Sequence, residues 1–171
     1  MHPTEEREFA EYFANRQDAV RRIAYLLCGD WHRADDVAQT AFVKLHRHWD
    51  RVRDKGALDA WMRRTVVRAV VDESRRPWRR ERPTEVLPER PTAATDPGDA
   101  LGTREQVLAG LRRVPPRQRA VLVLRFIEDQ DVASTAVALG CAEGTVKSQT
   151  ARGLATLRAA LDSDEEVVGR G

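Results

Sequence analysis

Only two cysteines, Cys28 and Cys141, occur in the 171 residues. An isolated pair falls short of a structural zinc set, and a reducing compartment disfavours a disulfide between them, so both read as free, packed thiols. Long apolar runs are missing too: no stretch approaches the roughly 20 residues needed to cross a bilayer. The opening residues, MHPTEEREF, are charged where a signal peptide would be apolar, which leads to the expectation of a cytosolic chain. No internal repeat is evident. The last scarcity is local. In GCAEGTVKSQTARGLATLR, residues 140–158, the polar side of a helix-patterned stretch carries almost no acid. A side facing only water would be served equally well by the mixture of Glu and Lys found elsewhere, so its partner has to be sought.

With 42% hydrophobic residues the chain can bury real cores, as one domain or two small ones. The net charge of +2 is unevenly spread, with RRPWRRER at 75–82 and DSDEE at 162–166. Taken alone, such a basic run is more often a solvated surface or linker than a nucleic-acid site.

Three helical patterns come first. Phe9, Tyr12, Phe13, Val20, Ile23, Ala24 and Leu27 follow helical spacing, with a break expected around Asn15 to Asp18 and Gly29 as the C-terminal stop. Asp30 then caps a second helix whose inward stripe is Ala34, Val37, Ala38, Ala41, Phe42, Leu45 and Trp49. After the polar loop from Asp50 to Lys55 and the break at Gly56, a third helix runs from about Leu58 to Arg76 with Leu58, Trp61, Met62, Thr65 and Ala69 inward, until Pro77 stops it. From Pro77 to about Gly98 five prolines lie among charged and small residues, the composition of a linker.

The second half is helical as well. Leu101, Val107, Leu108 and Leu111 mark one helix, and Ala120, Val121, Leu124 and Ile127 another after the Pro115–Pro116 turn. Asp131 caps a short helix holding Val132, Thr135, Ala136 and Leu139, and Gly140 permits the sharp turn into the acid-poor helix. This is the sequence form of a helix-turn-helix. At about 100° per residue, Val146, Thr150, Gly153, Leu154, Leu157 and Leu161 fall on one side. Thr145, Lys147, Ser148, Ala151, Arg152 and Ala155 lie toward the other or its margins. Hydroxyls, two cations and small residues that allow close approach suit a groove of DNA. The plainer alternative is a surface helix with incidental cations.

These segments together resemble the extracytoplasmic-function sigma factors of bacterial RNA polymerase, over nearly everything from Phe9 to Leu161. GDWHRADDVAQTAFVKLHRHW is similar to the region that binds the polymerase clamp coiled coil, with an acid, two small apolar residues and Gln falling on Asp36, Val37, Ala38 and Gln39. AWMRRTVVRAVVDESRR resembles the part that opens the minus-ten element. VPPRQRAVLVLRF and EGTVKS after a glycine turn resemble the domain that reads minus-thirty-five duplex.

The resemblance implies an all-α chain: a domain over 1–76, a Pro-rich linker over 77–98, a helix-turn-helix domain over 99–162 and a flexible tail over 163–171. It implies that Asp36, Val37 and Gln39 meet core polymerase and that the Asp50 to Lys55 loop receives an unpaired base. Arg63, Arg64, Arg68, Arg75 and Arg76 would bind the minus-ten strand, and Thr145, Lys147, Ser148 and Arg152 the minus-thirty-five duplex. Partners would be core RNA polymerase, promoter DNA and, commonly in this group, an anti-sigma factor; no cofactor is implied. Two departures stand out. Many relatives have a capping residue where this chain has Ala142, and Asn where it has Arg68.

Two other classes compete. A self-sufficient helix-turn-helix regulator would need a dimer helix to read two half-sites, and none is apparent. A helical enzyme would rest on His32, His46 and His48, but His46 and His48, two apart on a helix, diverge.

Overall fold

The computed structural model describes residues 1–52, 54–74 and 101–169, apart from the side chains of 101–103 and 164–169. Arg75, Arg76, the basic run and the expected linker over 77–98 lie outside the described residues, as does Arg53 of the loop.

Helix α1 (Pro3–Cys28) opens on a reciprocal cap, in which the His2 ring accepts from the Thr4 amide and the Glu5 carboxylate accepts from the His2 amide at 2.9 Å. It closes at Gly29, whose φ of 74° an L side chain would resist. The break expected at Asn15 to Asp18 does not occur. Those residues form a largely exposed turn of a continuous helix, and Arg16 reaches Asp59 at 3.1 Å. A gap in an apolar stripe here marks solvent rather than an interruption of the backbone. Helix α2 (Trp31–His48) starts where the Asp30 carboxylate accepts from the His32 amide at 2.9 Å. It buries the expected stripe, including Trp49 just beyond its end.

Helix α3 (Leu58–Ser74) departs from expectation in its buried face. Val66, Val67, Val70 and Val71 join Leu58 and Met62 in the core, whereas Trp61 and Ala69 pack only half-buried at its margin and Thr65 is likewise half-buried. The reason is that α3 is covered from two sides: α1 and α2 take one flank, and the second half of the chain takes the other. Each fully buried valine contributes about 1.5–3 kcal/mol.

That second half comprises α4 (Leu101–Arg113), α5 (Pro116–Leu122), α6 (Val132–Leu139) and α7 (Glu143–Gly169). A turn of π-helix, Val123–Ile127, extends α5, with the Glu128 amide bonded to the Val123 carbonyl at 2.9 Å. The wider turn shifts the helical phase, so Ile127, expected inward, is 47% exposed. Inside this half, Val121, Ala136 and Val146 form the helix-turn-helix core, and Leu111, Val114 and Leu122 pack α4 and α5 toward α7. Gly153 lets α7 approach Leu122, whose side chain would lie 3.1 Å from any added Cβ. Helix α7 runs on to Gly169, past the boundary at 162 that the resemblance implies, because an established helix adds one hydrogen bond for each residue it orders.

Besides these clusters of the second half, the two halves share a core. Ala120, Val123, Leu124 and Ala138 belong to the same apolar cluster as the buried faces of α1, α2 and α3. Arg119 ties the seam with hydrogen bonds to carbonyls on both sides: Leu27 at 2.8 Å in the first half, and Leu111, Arg112 and Val114 at 2.7, 3.0 and 3.0 Å in the second. Burial lowers its pKa from the ordinary guanidinium value, the cost of holding a cation away from water.

Candidate nucleic-acid interface

The helix-turn-helix is built from its caps. The Asp131 carboxylate accepts from the Ser134 amide at 2.7 Å, and this bond holds the Asp131 pKa below its ordinary value. The Thr135 hydroxyl, fully buried, donates to the Asp131 carbonyl at 2.8 Å. At the other end of α6, the Gly140 amide bonds the Val137 carbonyl and the Cys141 amide bonds the Ala136 carbonyl, with Gly140 at φ 66°. This pairing is a Schellman stop, which turns the chain sharply into α7.

On α7 the division expected by angle is realised. Val146 and Gly153 are buried and Thr150, Leu154, Leu157 and Leu161 half-buried, while Lys147, Ser148, Ala151, Arg152 and Ala155 are exposed. Thr145 is half-buried, at the margin. The Ser148 hydroxyl donates to the Thr145 carbonyl at 3.0 Å, which leaves its lone pairs free to accept. Among the described residues neither Lys147 nor Arg152 has an ion-pair partner. Ala142, just ahead of α7, offers no side-chain acceptor to the first amides of the helix, so these remain available to an anion.

On α2, Asp36 and Gln39 are exposed on the outer face. Val37 is not: at 4% exposure it belongs to the core, so the polymerase-facing role expected for it does not fit its position. An apolar side chain that does lie on the outer face is Val43, 50% exposed, one helical turn beyond Gln39; a lone surface valine carries no periodic signal in the sequence. Two short 3-10 turns, Trp49–Arg51 and Lys55–Ala57, stand at the two ends of the Asp50 to Lys55 loop, with the Asp54 carboxylate accepting from the Gly56 amide at 2.9 Å. The Lys55 ammonium lies 3.6 Å over the Trp49 ring, and Asp50, Arg51 and Asp54 are exposed.

The arginines of α3 divide. Arg64 is half-buried with no hydrogen bond to another described residue. Arg63 donates to Gln130 at 3.2 Å and lies 3.7 Å from the Glu128 carboxylate. Arg68 donates from Nε to the Ala138 carbonyl and from Nη2 to the Val137 carbonyl, both at 3.1 Å, and its guanidinium lies against Gly140. Nothing in the sequence pattern signals these contacts, because they join residues about seventy positions apart.

The remaining titratable candidates are structural. The Cys28 thiol donates to the Asp30 carbonyl at 3.2 Å, and burial raises its pKa, which disfavours the reactive thiolate. Burial, reinforced by a hydrogen bond to Asp59 at 2.9 Å, pushes the Tyr12 hydroxyl well above the usual phenol range. His46 packs edge-on against Phe9 at 4.9 Å, and the His48 ring contacts the Lys44 carbonyl at 2.8 Å. Among the described residues no helix is long and apolar enough to cross a membrane.

Comparison with known proteins accords with this geometry. The family described as Sigma-70 region 2 matches residues 13–80, and that described as Sigma-70, region 4 matches residues 104–157. The RNA polymerase sigma-E factor of Streptomyces avermitilis is 39% identical over 91% of this chain and 86% of its own length. The ECF RNA polymerase sigma factor SigM of Mycobacterium tuberculosis is 35% identical over 87% of this chain and 74% of its own length. In fold, the chain is similar to the sigma factor RpoE of Bartonella quintana, solved with the anti-sigma factor NepR, at a TM-score of 0.72 and 21% identity over 92% of this chain and 98% of that one. Two sigma-70 domains in one helical chain, matched along nearly their whole length by such relatives, show that it belongs to the extracytoplasmic-function group of RNA polymerase sigma factors, the proteins that direct polymerase to promoters.

Proposed function

We propose that the first half, residues 1–76, docks on core polymerase and holds the melted minus-ten strand, while residues 99–162 read minus-thirty-five duplex. The observation that carries the reading is the exposed face of α7, where Lys147 and Arg152 stand beside small residues without internal ion-pair partners among the described residues. Lys147 and Arg152 neutralise phosphates or reach guanine acceptors, Thr145 and Ser148 bond backbone oxygens, and the start of α7 adds its own attraction for phosphate. On the first half, Asp36 and Gln39 make hydrogen bonds to polymerase, and Val43 rather than Val37 supplies the apolar contact beside them.

Arg63, Arg64, Arg68, Arg75 and Arg76 bind phosphates of the opened strand, and the Asp50 to Lys55 loop receives an unpaired base. The protein itself performs no covalent step and works in the cytosol; polymerase supplies catalysis. Its mechanism is differential binding, which favours the open strand over the closed duplex. An anti-sigma partner is also proposed, for which exposed Phe126, Ile127 and Val137 offer apolar footholds. The test is a randomised promoter library bound by the chain with core polymerase. Enrichment of two spaced motifs, with the upstream one lost in the Lys147→Ala/Arg152→Ala variant, is the expected result, and enrichment unaffected by that variant would refute the assignment of α7.

A further inference from the structure

A cleft of about 340 Å³ opens between α3, α5 and α6, lined by Arg68, Val71, Asp72, Arg117, Leu139 and Gly140. That volume is at the low end of the roughly 300–1,000 Å³ that small-molecule sites span. Two guanidiniums and one carboxylate line it, yet among the described residues no ion pair joins Asp72 to either arginine. Arg117, half-buried, has no hydrogen-bond or ion-pair partner among the described residues. Arg68 is fixed by one edge only: Nε and Nη2 donate to the Ala138 and Val137 carbonyls at 3.1 Å, while Nη1 and the edge it shares with Nη2 stay unused among the described residues. A cation already held in place loses little freedom when it takes a ligand. Gly140, exposed at φ 66°, sets no side chain over the cleft, and a Cβ there would lie 3.4 Å from Arg68 Nη2. The buried Val71 and half-buried Leu139 supply the apolar part of the lining.

We infer that this cleft is a binding site for a small phosphorylated sugar, taken either as the free sugar phosphate or as a nucleoside monophosphate. A phosphate monoester carries about 1.5–2 negative charges at pH 7 and matches two guanidiniums better than one. Asp72 repels a bare anion, so its place beside the arginines calls for a ligand that also donates, and the vicinal hydroxyls of a ribose donate to a carboxylate. The minus-ten strand is a poorer fit: each of its phosphates is a diester with a single charge, and deoxyribose lacks the 2′-hydroxyl. A ligand here touches both halves of the chain and stabilises the fold by mass action. The site does not depend on the minus-ten reading of α3, because Asp72 and Arg117 have no part in that reading.

Its test measures binding of ribose 5-phosphate, adenosine monophosphate, inorganic phosphate and ribose to the full chain by calorimetry. Both esters should bind saturably and raise Tm, and ribose alone should not bind; the tighter ester tells which of the two sources the cleft prefers. Arg117→Gln should weaken both esters about tenfold or more, the effect of one lost charge-assisted contact. The Tm of the ligand-free chain should stay unchanged, since Arg117 has no partner to lose among the described residues. Asp72→Ala should tighten inorganic phosphate, because the repelling carboxylate is gone, while the ratio of ribose 5-phosphate to inorganic phosphate affinity falls about tenfold. Failure of both esters to bind, binding unmoved by Arg117→Gln, or a ratio unmoved by Asp72→Ala overturns the inference. If either variant does not fold, hydrogen exchange of the wild-type chain decides the matter: saturating ester should slow the amides around Asp72 and around Gly140 together, and protection of neither segment contradicts the site.

Discussion

Replacing Arg119 by Met keeps most of the side chain's length and removes every donor. Four carbonyls then lose a partner: Leu27, Leu111, Arg112 and Val114. The bond to Arg112 is exposed, so water replaces it at little cost; the other three are partly buried. A hydrogen bond to a charged group contributes about 1.5–3 kcal/mol net, and relief from burying the guanidinium offsets part of the sum. The expected loss is about 3 kcal/mol, which in a chain of this size lowers Tm by about 6–12 °C. Thermal unfolding followed by circular dichroism measures it, with urea titration as a second probe. A shift under about 2 °C would refute the reasoning, because it would mean that the shared seam holds without its central cation.

The remaining predictions concern separate places in the fold. Lys147→Ala with Arg152→Ala should flatten the salt dependence of promoter binding by about one unit for each phosphate no longer neutralised and leave the melting curve unchanged, as salt titrations and thermal melts of both proteins will show. Asp36→Ala with Gln39→Ala should weaken competition for core polymerase while sparing helicity, because both residues lie off the buried face of α2. The Asp131 pKa is depressed in the folded chain, so its contribution is full above the ordinary aspartate range and is lost as pH falls through the folded value. Asp131→Asn, which keeps the accepting oxygen, should remove that portion of the acid sensitivity of melting. Gly140→Ala should cost about 1–2 kcal/mol for the left-handed turn, read as a lower denaturation midpoint.

Local features were legible in the sequence and long-range ones were not. The Asp30 and Asp131 caps, the Gly29 and Gly140 stops and the two faces of α7 each follow from residues within one or two turns, and the chain forms them as read. The burial of Val66, Val67, Val70 and Val71 could not be read that way. A helix covered on two flanks shows a wide apolar arc, and the periodicity of α3 does not say that α6 supplies the second cover. Ile127 was misplaced because a π turn changes the phase that the pattern assumes. For the proposed site, the exposed members Asp36, Gln39, Lys147 and Arg152 stood out as polar breaks beside an apolar stripe. Arg68 stood out only as a departure from relatives, since backbone carbonyls, which carry no sequence signature, hold it in place.

Run-off transcription with bacterial core polymerase and a library of randomised promoters tests the account at its centre. Core enzyme supplied with this chain should start transcripts from a subset of templates sharing an upstream and a minus-ten motif, and core enzyme alone should not. Transcription unchanged by the chain, together with a footprint it makes on DNA without polymerase, would contradict the account and favour a self-sufficient helix-turn-helix regulator.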